Sequence, residues 1–238
     1  MIPSLLHICS HSFLLHQLSY FYPIPFNPPP SQNNIQFPFL FVGGIVRDYI
    51  LYLQNTNTAM QKISPSISLL LMNNFEEFLK SKNDIDIASN FPPKEAAKLL
   101  DNTFPNGERV RMFATNTIKY DSINIDCTST RIDTQCDGRH AKMKFGVSYF
   151  QDSHRRDFTF NAMYLSSDGT LFDFHEGVEH LINGEIHFIG DAKTRIMEDY
   201  TRIKRYYDFS KRFNMRNKEI ENAIDYIIAN SKTPIIMR

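Results

Sequence analysis

The stretch Asp84-Ile85-Asp86-Ile87-Ala88-Ser89 (DIDIAS, residues 84–89) alternates acidic and aliphatic side chains. Because residues two apart share one face of a strand, this alternation predicts a strand with Asp84 and Asp86 on its polar face and Ile85 and Ile87 in the core. Two neighbouring carboxylates repel each other, and a divalent cation such as Mg²⁺ relieves that repulsion. A solvated strand face is the commoner origin of an isolated pair of this kind.

A second segment, Ile123 to Cys127, repeats the alternation and places Asp126 on its polar face. Three carboxylates on neighbouring strands can hold two divalent ions roughly 4 Å apart, an arrangement that serves in-line nucleotidyl or phosphoryl transfer. The two segments therefore indicate a possible two-metal site, and the choice between that site and a solvated face depends on the rest of the sequence.

Patterns on either side of these segments predict the remaining architecture. PFLFVGG (38–44) is typical of a buried strand that ends in a glycine turn, and VRDYILYL (46–53) is typical of a helix. KEAAKLL (94–100) follows two prolines that suit a helix start, short alternating segments lie between 109 and 128, and helical spacing occupies 194–230. Because successive strands tend to pair, the sequence predicts an α+β fold with a mixed, mostly antiparallel sheet flanked by helices.

Charge is distributed unevenly along the 238 residues. The 26 basic and 26 acidic side chains cancel, which excludes the strong basic excess that by itself indicates nucleic acid or an anionic membrane. No charged residue precedes Arg47, and the leader 1–36 is rich in proline, so we expect the leader to be disordered. It lacks a basic start, and polar residues interrupt its apolar runs, so we predict neither a signal peptide nor a membrane span.

The three cysteines, Cys9, Cys127 and Cys136, show no CxxC spacing. An odd number of cysteines without such spacing predicts no zinc site and no disulfide framework, and it is typical of a reducing compartment. The sequence therefore favours a cytoplasmic protein.

Five segments between residues 41 and 205 occur in a characteristic order. They are FVGGIVRDYI (41–50), NDIDIAS (83–89), NIDCTSTRID (124–133), RRDFTFNAMYLSSDGTLFDF (155–174) and GDAKTRIMEDYTRIKR (190–205). Together they resemble the class II tRNA nucleotidyltransferase and bacterial poly(A) polymerase family. The resemblance implies a polymerase-β-like nucleotidyltransferase head over 37–185, with an insertion at about 55–73, and the beginning of an all-helical neck over 186–238.

The resemblance also implies roles for individual side chains. Asp84 and Asp86 would bind two Mg²⁺ ions, and Asp126 would be a third catalytic carboxylate. The implied nucleotide-binding residues are Gly43, Gly44 and Arg47 at the triphosphate, Arg156, Asp157 and Asn161 at the triphosphate and ribose, and Glu198, Asp199, Arg202 and Arg205 at the base. If 198–205 is helical, the acidic pair at its start and Arg202 face the same way, because residues three or four apart are neighbours on a helix. Taken alone, the glycines are more typical of a plain turn and residues 198–205 of an ordinary salt-bridged helix, whereas the Arg156–Asp157 group fits a surface ion pair as well as it fits a binding site.

The implied activity is template-independent addition of CMP and AMP, from CTP and ATP, to an RNA 3′ end. CCA addition to tRNA and poly(A) tailing both fit. The alternatives are a truncated, inactive fragment of such an enzyme, because the family continues into body and tail helices that grip tRNA, and a nucleotide-sensing member of the same superfold. Residues 186–238 hold eleven basic and seven acidic side chains, so we expect RNA to bind weakly. The oligomeric state stays open.

Overall fold

A computed structural model describes residues 37–56, 75, 77–120, 122–136, 141–167 and 169–231, and all statements below concern these residues. The leader 1–36 and most of the predicted insertion 55–73 lie outside them. In the part of the chain so described, no helix is both long and apolar enough to cross a membrane.

Nine strands and seven α-helices lie wholly within the described part of the chain, and Phe75 and residues 77–79 are also helical. The strands are β1 (Phe39–Val42), β2 (Asp84–Ser89), β3 (Glu108–Met112), β4 (Thr115–Tyr120), β5 (Ile123–Ser129), β6 (Arg131–Cys136), β7 (Ala141–Phe145), β8 (Met163–Leu165) and β9 (Leu171–Asp173). The helices are α1 (Gly44–Thr56), α2 (Pro93–Thr103), α3 (Tyr149–Ser153), α4 (Gly177–Asn183), α5 (Ala192–Glu198), α6 (Thr201–Phe213) and α7 (Lys218–Asn230), and a 3₁₀ turn spans Thr159–Asn161.

Seven strands form one sheet in the order β3-β4-β5-β2-β1-β8-β9, and β6 pairs with β7 in a separate ribbon. Strands β2 and β5 are parallel, whereas the other neighbouring pairs of the large sheet are antiparallel. The predicted α+β class, with a mixed and mostly antiparallel sheet, is confirmed. The parallel pair lies at the centre of the sheet and brings the two acidic segments side by side.

Helix α1 packs its apolar face onto the large sheet because Val46, Tyr49 and Leu53 recur at helical spacing and are buried with Ile85 and Ile87 of β2. Full burial of a side chain of this size contributes about 1.5–3 kcal/mol. This packing anchors the start of α1 beside the polar face of β2. Helix α2 begins at Pro93, as its two prolines predict.

The helical pattern over 194–230 divides into three helices. Helix α5 ends at Glu198 because Asp199 adopts an extended backbone, with φ −155° and ψ 103°. Helix α6 ends at Asn214, whose φ of +54° is the left-handed conformation common at helix C-termini. The expectation that residues 198–205 form one continuous helix is therefore wrong.

Candidate active site

A cavity of about 480 Å³ opens where the β1–α1 loop, β2, the segment before the 3₁₀ turn and the α5–α6 junction meet. Its lining comprises Val42, Gly43, Gly44, Arg47, Asp86, Ile87, Thr128, Arg155, Arg156, Asp157, Asn161, Asp199, Arg202 and Arg205. Ten of the thirteen predicted site residues are among them. The other three, Asp84, Asp126 and Glu198, lie outside the lining.

The glycine loop forms one wall of the cavity. Gly43 has φ +72°, a conformation that favours glycine, and it is followed directly by the first residue of α1. The first N–H groups of a helix lack partners within the helix, and the helix dipole places partial positive charge there. A phosphate is therefore a suitable ligand for this wall.

Arg47 is buried against both the glycine loop and α6. Its guanidinium donates to Asp48 Oδ1 at 2.8 Å and to Asn161 Oδ1 at 2.8 Å. It also lies 5.0 Å from the ring centroid of Phe209 and 5.2 Å from that of Phe213, within cation–π range. Burial lowers the pKa of Arg47, although the neighbouring Asp48 opposes that shift. These contacts hold the guanidinium at the cavity wall.

Asp86 and Asp126 occupy opposed positions on the parallel strands β2 and β5. Burial raises the pKa of Asp86, and the charges of Asp126 and Asp84 raise it further, while Arg156 opposes the shift. Asp126 accepts a hydrogen bond from Thr117 at 2.6 Å, and Asp84 accepts one from Asn124 at 2.8 Å.

This oxygen donor set fits Mg²⁺, which binds to one or two carboxylates together with phosphate oxygens and water. The opposed carboxylates of Asp86 and Asp126 favour a cation here, because a bound cation would offset the partial desolvation and the mutual repulsion that raise the pKa of Asp86.

A buried carboxylate that the sequence reasoning missed organises the opposite wall. Asp152 is fully buried and accepts hydrogen bonds from Arg155 Nε at 2.7 Å and from Arg156 Nη2 at 3.1 Å. It also accepts from the Tyr164 hydroxyl at 2.9 Å and from the backbone N–H of Arg131 at 2.9 Å. Burial opposes ionisation, but the two arginines outweigh it and lower the pKa of Asp152.

Asp157 and Asn161 connect the wall formed by Arg155 and Arg156 to helix α6 and to the glycine loop. Arg205 of α6 lies 2.7 Å from the buried Asp157 carboxylate, and Asn161 donates to the other oxygen of that carboxylate at 3.3 Å. Asn161 in turn accepts from Arg47. One chain of contacts therefore joins the glycine loop, the 3₁₀ turn and α6.

The family model described as the Poly A polymerase head domain matches residues 39–187. The chain belongs to this family. Human "CCA tRNA nucleotidyltransferase 1, mitochondrial" is 40% identical to it over 128 residues, which is 53% of this chain and 30% of that protein. The "CCA-adding enzyme" of Staphylococcus haemolyticus (strain JCSC1435) is 30% identical over 180 residues, or 75% of this chain and 38% of that protein. The chain thus spans between 30% and 38% of the length of these two relatives.

Solved structures of a CCA-adding enzyme in complex with CTP and with ATP each match this chain with a TM-score of 0.57 and 25% sequence identity. Each match covers 81% of this chain and 39% of the other. The match confirms the nucleotidyltransferase fold that the five ordered segments imply.

The predicted base-reading residues do not share one helix face. Glu198, at the end of α5, is half exposed and pairs with Arg195 and Arg202 outside the cavity. Asp199 lies in the break between the helices, where its Oδ1 accepts from the N–H of Thr201, the first residue of α6, at 2.9 Å. Only Asp199, Arg202 and Arg205 of the four reach the cavity. The break, which i,i+4 spacing could not reveal, is what turns Asp199 away from Glu198.

Two further functional contributions escaped sequence reasoning because they depend on residues far apart in the chain. Arg195 donates to the backbone carbonyls of Arg155 and Arg156 at 3.0 and 2.6 Å, so α5 fixes the backbone of the arginine pair. Arg212 lies 3.0 Å from Asp48, so α6 also braces the helix that follows the glycine loop. Neither contact has a local sequence signal.

Proposed function

We propose that this protein binds CTP or ATP in the cavity and transfers the nucleotidyl group to the 3′ end of an RNA, with tRNA as the RNA and CCA addition as the reaction. The observation that carries the proposal is that Asp86, beside Asp126, lines the same cavity as the glycine loop and the arginines. The names of the curated relatives, which are CCA-adding enzymes, support the choice of reaction.

The charges around the cavity suit a triphosphate. Five guanidinium groups and three carboxylates line it, so its wall is electropositive overall. Arg155 and Arg156 are held by Asp152, and Arg47 by Asp48, which means that these cations are oriented before a ligand arrives. Such preorganised donors favour the charge that develops on the phosphates during transfer.

The reaction that we infer forms one bond and breaks one. The RNA 3′ oxygen attacks the α-phosphorus and loses its proton, a new P–O bond forms, and the bond between the α-phosphorus and the bridging oxygen breaks, so that pyrophosphate leaves. Divalent ions bound by Asp84, Asp86 and Asp126 would activate the attacking oxygen and neutralise the leaving group. Arg155 and Arg156, which form the arginine wall of the cavity, and the N–H groups of the glycine loop hold the triphosphate in line with that oxygen.

In this proposal, Asp199 and Arg202 select the base of the incoming nucleotide. Both hydrogen bonds from Thr201 use Oδ1 of Asp199, so Oδ2 is the oxygen available to accept from the exocyclic amino group of cytosine or adenine. The Arg202 guanidinium supplies donors beside it. This pairing favours cytosine and adenine, in which the amino group lies beside an unprotonated ring nitrogen that can accept from Arg202. The corresponding ring nitrogen of guanine carries a proton, and uracil has no amino group.

The domain bounds, the strength of RNA binding and the cellular location remain predictions. We propose that 37–185 form the catalytic head, that 186–238 begin a helical neck, and that the RNA binds weakly to this part of the protein. A cytoplasmic location also stays a prediction, since the human relative is named as mitochondrial.

Incubation of the protein with Mg²⁺, a tRNA transcript that ends before CCA, and each of the four labelled nucleoside triphosphates in turn tests this function. We expect incorporation of CMP and then AMP, with UMP and GMP at least tenfold slower. A product that contains only AMP in long tracts would indicate tailing in place of CCA addition. No incorporation at all would contradict the proposal.

A further inference from the structure

A cluster of two histidines and one glutamate lies beside the C-terminus of α4. The ligand atoms of His180, Glu185 and His187 all lie within 4.8 Å of one another, and this is the one such cluster of three or more His, Cys, Asp or Glu residues among the residues that the structure describes. The two imidazole rings stack, with centroids 4.1 Å apart and an angle of 28° between them. The proposed nucleotidyl transfer uses none of the three side chains.

The local backbone explains why the three side chains meet. Helix α4 ends at Gly184, whose φ of +73° is left-handed and whose N–H bonds to the carbonyls of His180 and Leu181. The chain then turns back, and the N–H of Glu185 also bonds to the His180 carbonyl at 2.7 Å. This reversal returns Glu185 and His187 to the side of His180.

Two contacts fix the backbone around His187. Its carbonyl accepts from the Thr159 N–H at 3.0 Å, and the neighbouring Ile186 carbonyl accepts from the Asn217 side chain at 2.9 Å. The cluster therefore rests on the 3₁₀ turn on one side and on the N-cap residue of α7 on the other. A rigid frame of this kind lowers the cost of holding ligands together.

A hydrogen bond at the second ring nitrogen of His180 prepares this residue to bind a metal through Nε2. His180 Nδ1 lies 3.0 Å from Thr159 Oγ1, and in the tautomer that donates this bond Nε2 carries a lone pair. His187 Nε2 lies 2.9 Å from Glu185 Oε2, so a proton is shared there in the metal-free protein. In metal sites, a hydrogen-bond partner on the ring nitrogen that does not bind the metal orients the histidine ligand.

We propose that His180, Glu185 and His187 form a binding site for a late first-row divalent metal ion, represented by Zn²⁺. Two imidazoles and one carboxylate are a ligand set that such ions accept, with water in the remaining position. Glu185 is 48% exposed, which leaves access for the ion and its water. Bond lengths of about 2.0–2.2 Å require the three ligand atoms to move closer together by side-chain rotation.

Binding replaces the His187–Glu185 hydrogen bond by two bonds to the metal. The proton on His187 Nε2 is released to solvent and Nδ1 takes up a proton from solvent, so the ring stays neutral while the Nε2 lone pair and a Glu185 oxygen become ligands. The 3.3 Å contact between His187 Nδ1 and the Asn217 amide nitrogen is then no longer a hydrogen bond. The ion would connect α4 to the segment that leads into α5. It would lie next to the 3₁₀ turn, which contains Asn161 and follows Asp157 in the chain.

The cysteine spacing predicts no zinc site, and this proposal revises that expectation. A search for cysteine pairs does not detect a histidine pair that a helix C-cap brings together.

Zn²⁺ binding should be measured by competition with a chromophoric chelator in an Asp84→Asn/Asp86→Asn background, which removes the other predicted metal ligands. We expect one equivalent of Zn²⁺ to be lost in His180→Gln/His187→Gln, and affinity to fall at least tenfold in Glu185→Gln. His154→Gln, which alters an exposed histidine outside the cluster, should leave the binding unchanged. All variants retain the same leader, so any metal bound by its histidines or Cys9 cancels in the comparison.

Thermal unfolding supplies a second readout. Free Zn²⁺ at about one hundred times its Kd should raise the Tm of the Asp84→Asn/Asp86→Asn protein. The same Zn²⁺ should not change the Tm when His180→Gln/His187→Gln is added to that protein. If circular dichroism shows that the double variant is unfolded, Glu185→Gln decides the question. Equal Zn²⁺ stoichiometry and affinity in the background and in the folded cluster variants would overturn the proposal.

Discussion

Asp86 of β2 lies directly opposite Asp126 of β5, because the two strands run parallel and in register. Parallel neighbours place equivalent positions on the same face, so both carboxylates project from the polar face of the central strands. Burial and the charge of Asp126 together raise the pKa of Asp86. The site therefore carries a charge that the metal-free fold disfavours and that a cation would stabilise.

The first prediction concerns the stability of the metal-free protein. A folded-state pKa raised above the usual value of 3.8 means that ionised Asp86 lowers the free energy of unfolding at neutral pH. Because the Asp86 side chain is exposed and solvent screens its charge, Asp86→Asn should raise the Tm only slightly, by at most about 2 °C. Calorimetry in a chelator checks this, with Asp133→Asn, an exposed carboxylate on β6, as the matched control. A lower Tm for Asp86→Asn would contradict the account.

The second prediction concerns pH and metal affinity. A carboxylate must be ionised to bind a metal, so protons compete with Mg²⁺ at Asp86. Because the pKa of Asp86 is raised, Mg²⁺ affinity should begin to fall at a higher pH than a carboxyl with a pKa of 3.8 would produce. Titrations of Mg²⁺ between pH 8 and pH 5 would measure the fall. The same titrations on Asp86→Asn should show a weaker dependence on pH, and an identical dependence would exclude Asp86 as its source.

The third prediction concerns Asp152, which holds the arginine wall. Asp152→Asn should lower the free energy of unfolding by about 3–5 kcal/mol at pH 7, because Arg155 and Arg156 would remain partly buried without their counterion. Its folded pKa is lowered, so its contribution is present above pH 3.8 and is lost as the pH falls through the folded pKa. Urea unfolding at pH 7 measures the loss, and Asp133→Asn should change stability by less than about 0.5 kcal/mol.

The sequence predicts the two acidic strands of the site, but it does not predict how these strands pair. Alternation with a period of two is a local signal, so residues 84–89 and 123–127 suffice to predict strands with their carboxylates on one face. The parallel pairing that sets Asp86 beside Asp126 is a contact between segments 40 residues apart, and no local pattern encodes it. The fold class follows from the succession of strands and is confirmed.

The arginine wall and the helix break illustrate what local patterns miss. Asp152 has no neighbouring motif, and its importance arises only when Arg155, Arg156, Tyr164 and the Arg131 backbone converge on it. At residue 199 the i,i+3 and i,i+4 spacing of charges remains compatible with a helix, whereas the Asp199 backbone is extended and its side chain accepts from the Thr201 N–H. Residues such as Asp are ambiguous in this way because their side chains compete with the backbone for hydrogen bonds.

The fourth prediction concerns base selection. Asp199→Asn retains a side-chain oxygen that can accept from the Thr201 N–H at the start of α6. It replaces the second carboxylate oxygen by an N–H₂ donor, which opposes the amino group of cytosine or adenine. We expect kcat/KM for CTP and ATP to fall at least tenfold, equivalent to about 1.4 kcal/mol, with little change in Tm. Asp208→Asn, an exposed residue on α6, is the control, and an equal loss in both variants would refute this role.

The central claim is that the carboxylates of β2 and β5 catalyse nucleotidyl transfer to an RNA 3′ end. The most direct test is the initial rate of labelled CMP incorporation, with Mg²⁺ and a tRNA transcript lacking CCA, by the wild-type protein, Asp84→Asn, Asp86→Asn and Asp133→Asn. The account predicts incorporation by the wild type and Asp133→Asn and at least a hundredfold loss in Asp84→Asn and in Asp86→Asn, both of which should remain folded. Incorporation at wild-type rates by either of those two variants would contradict it.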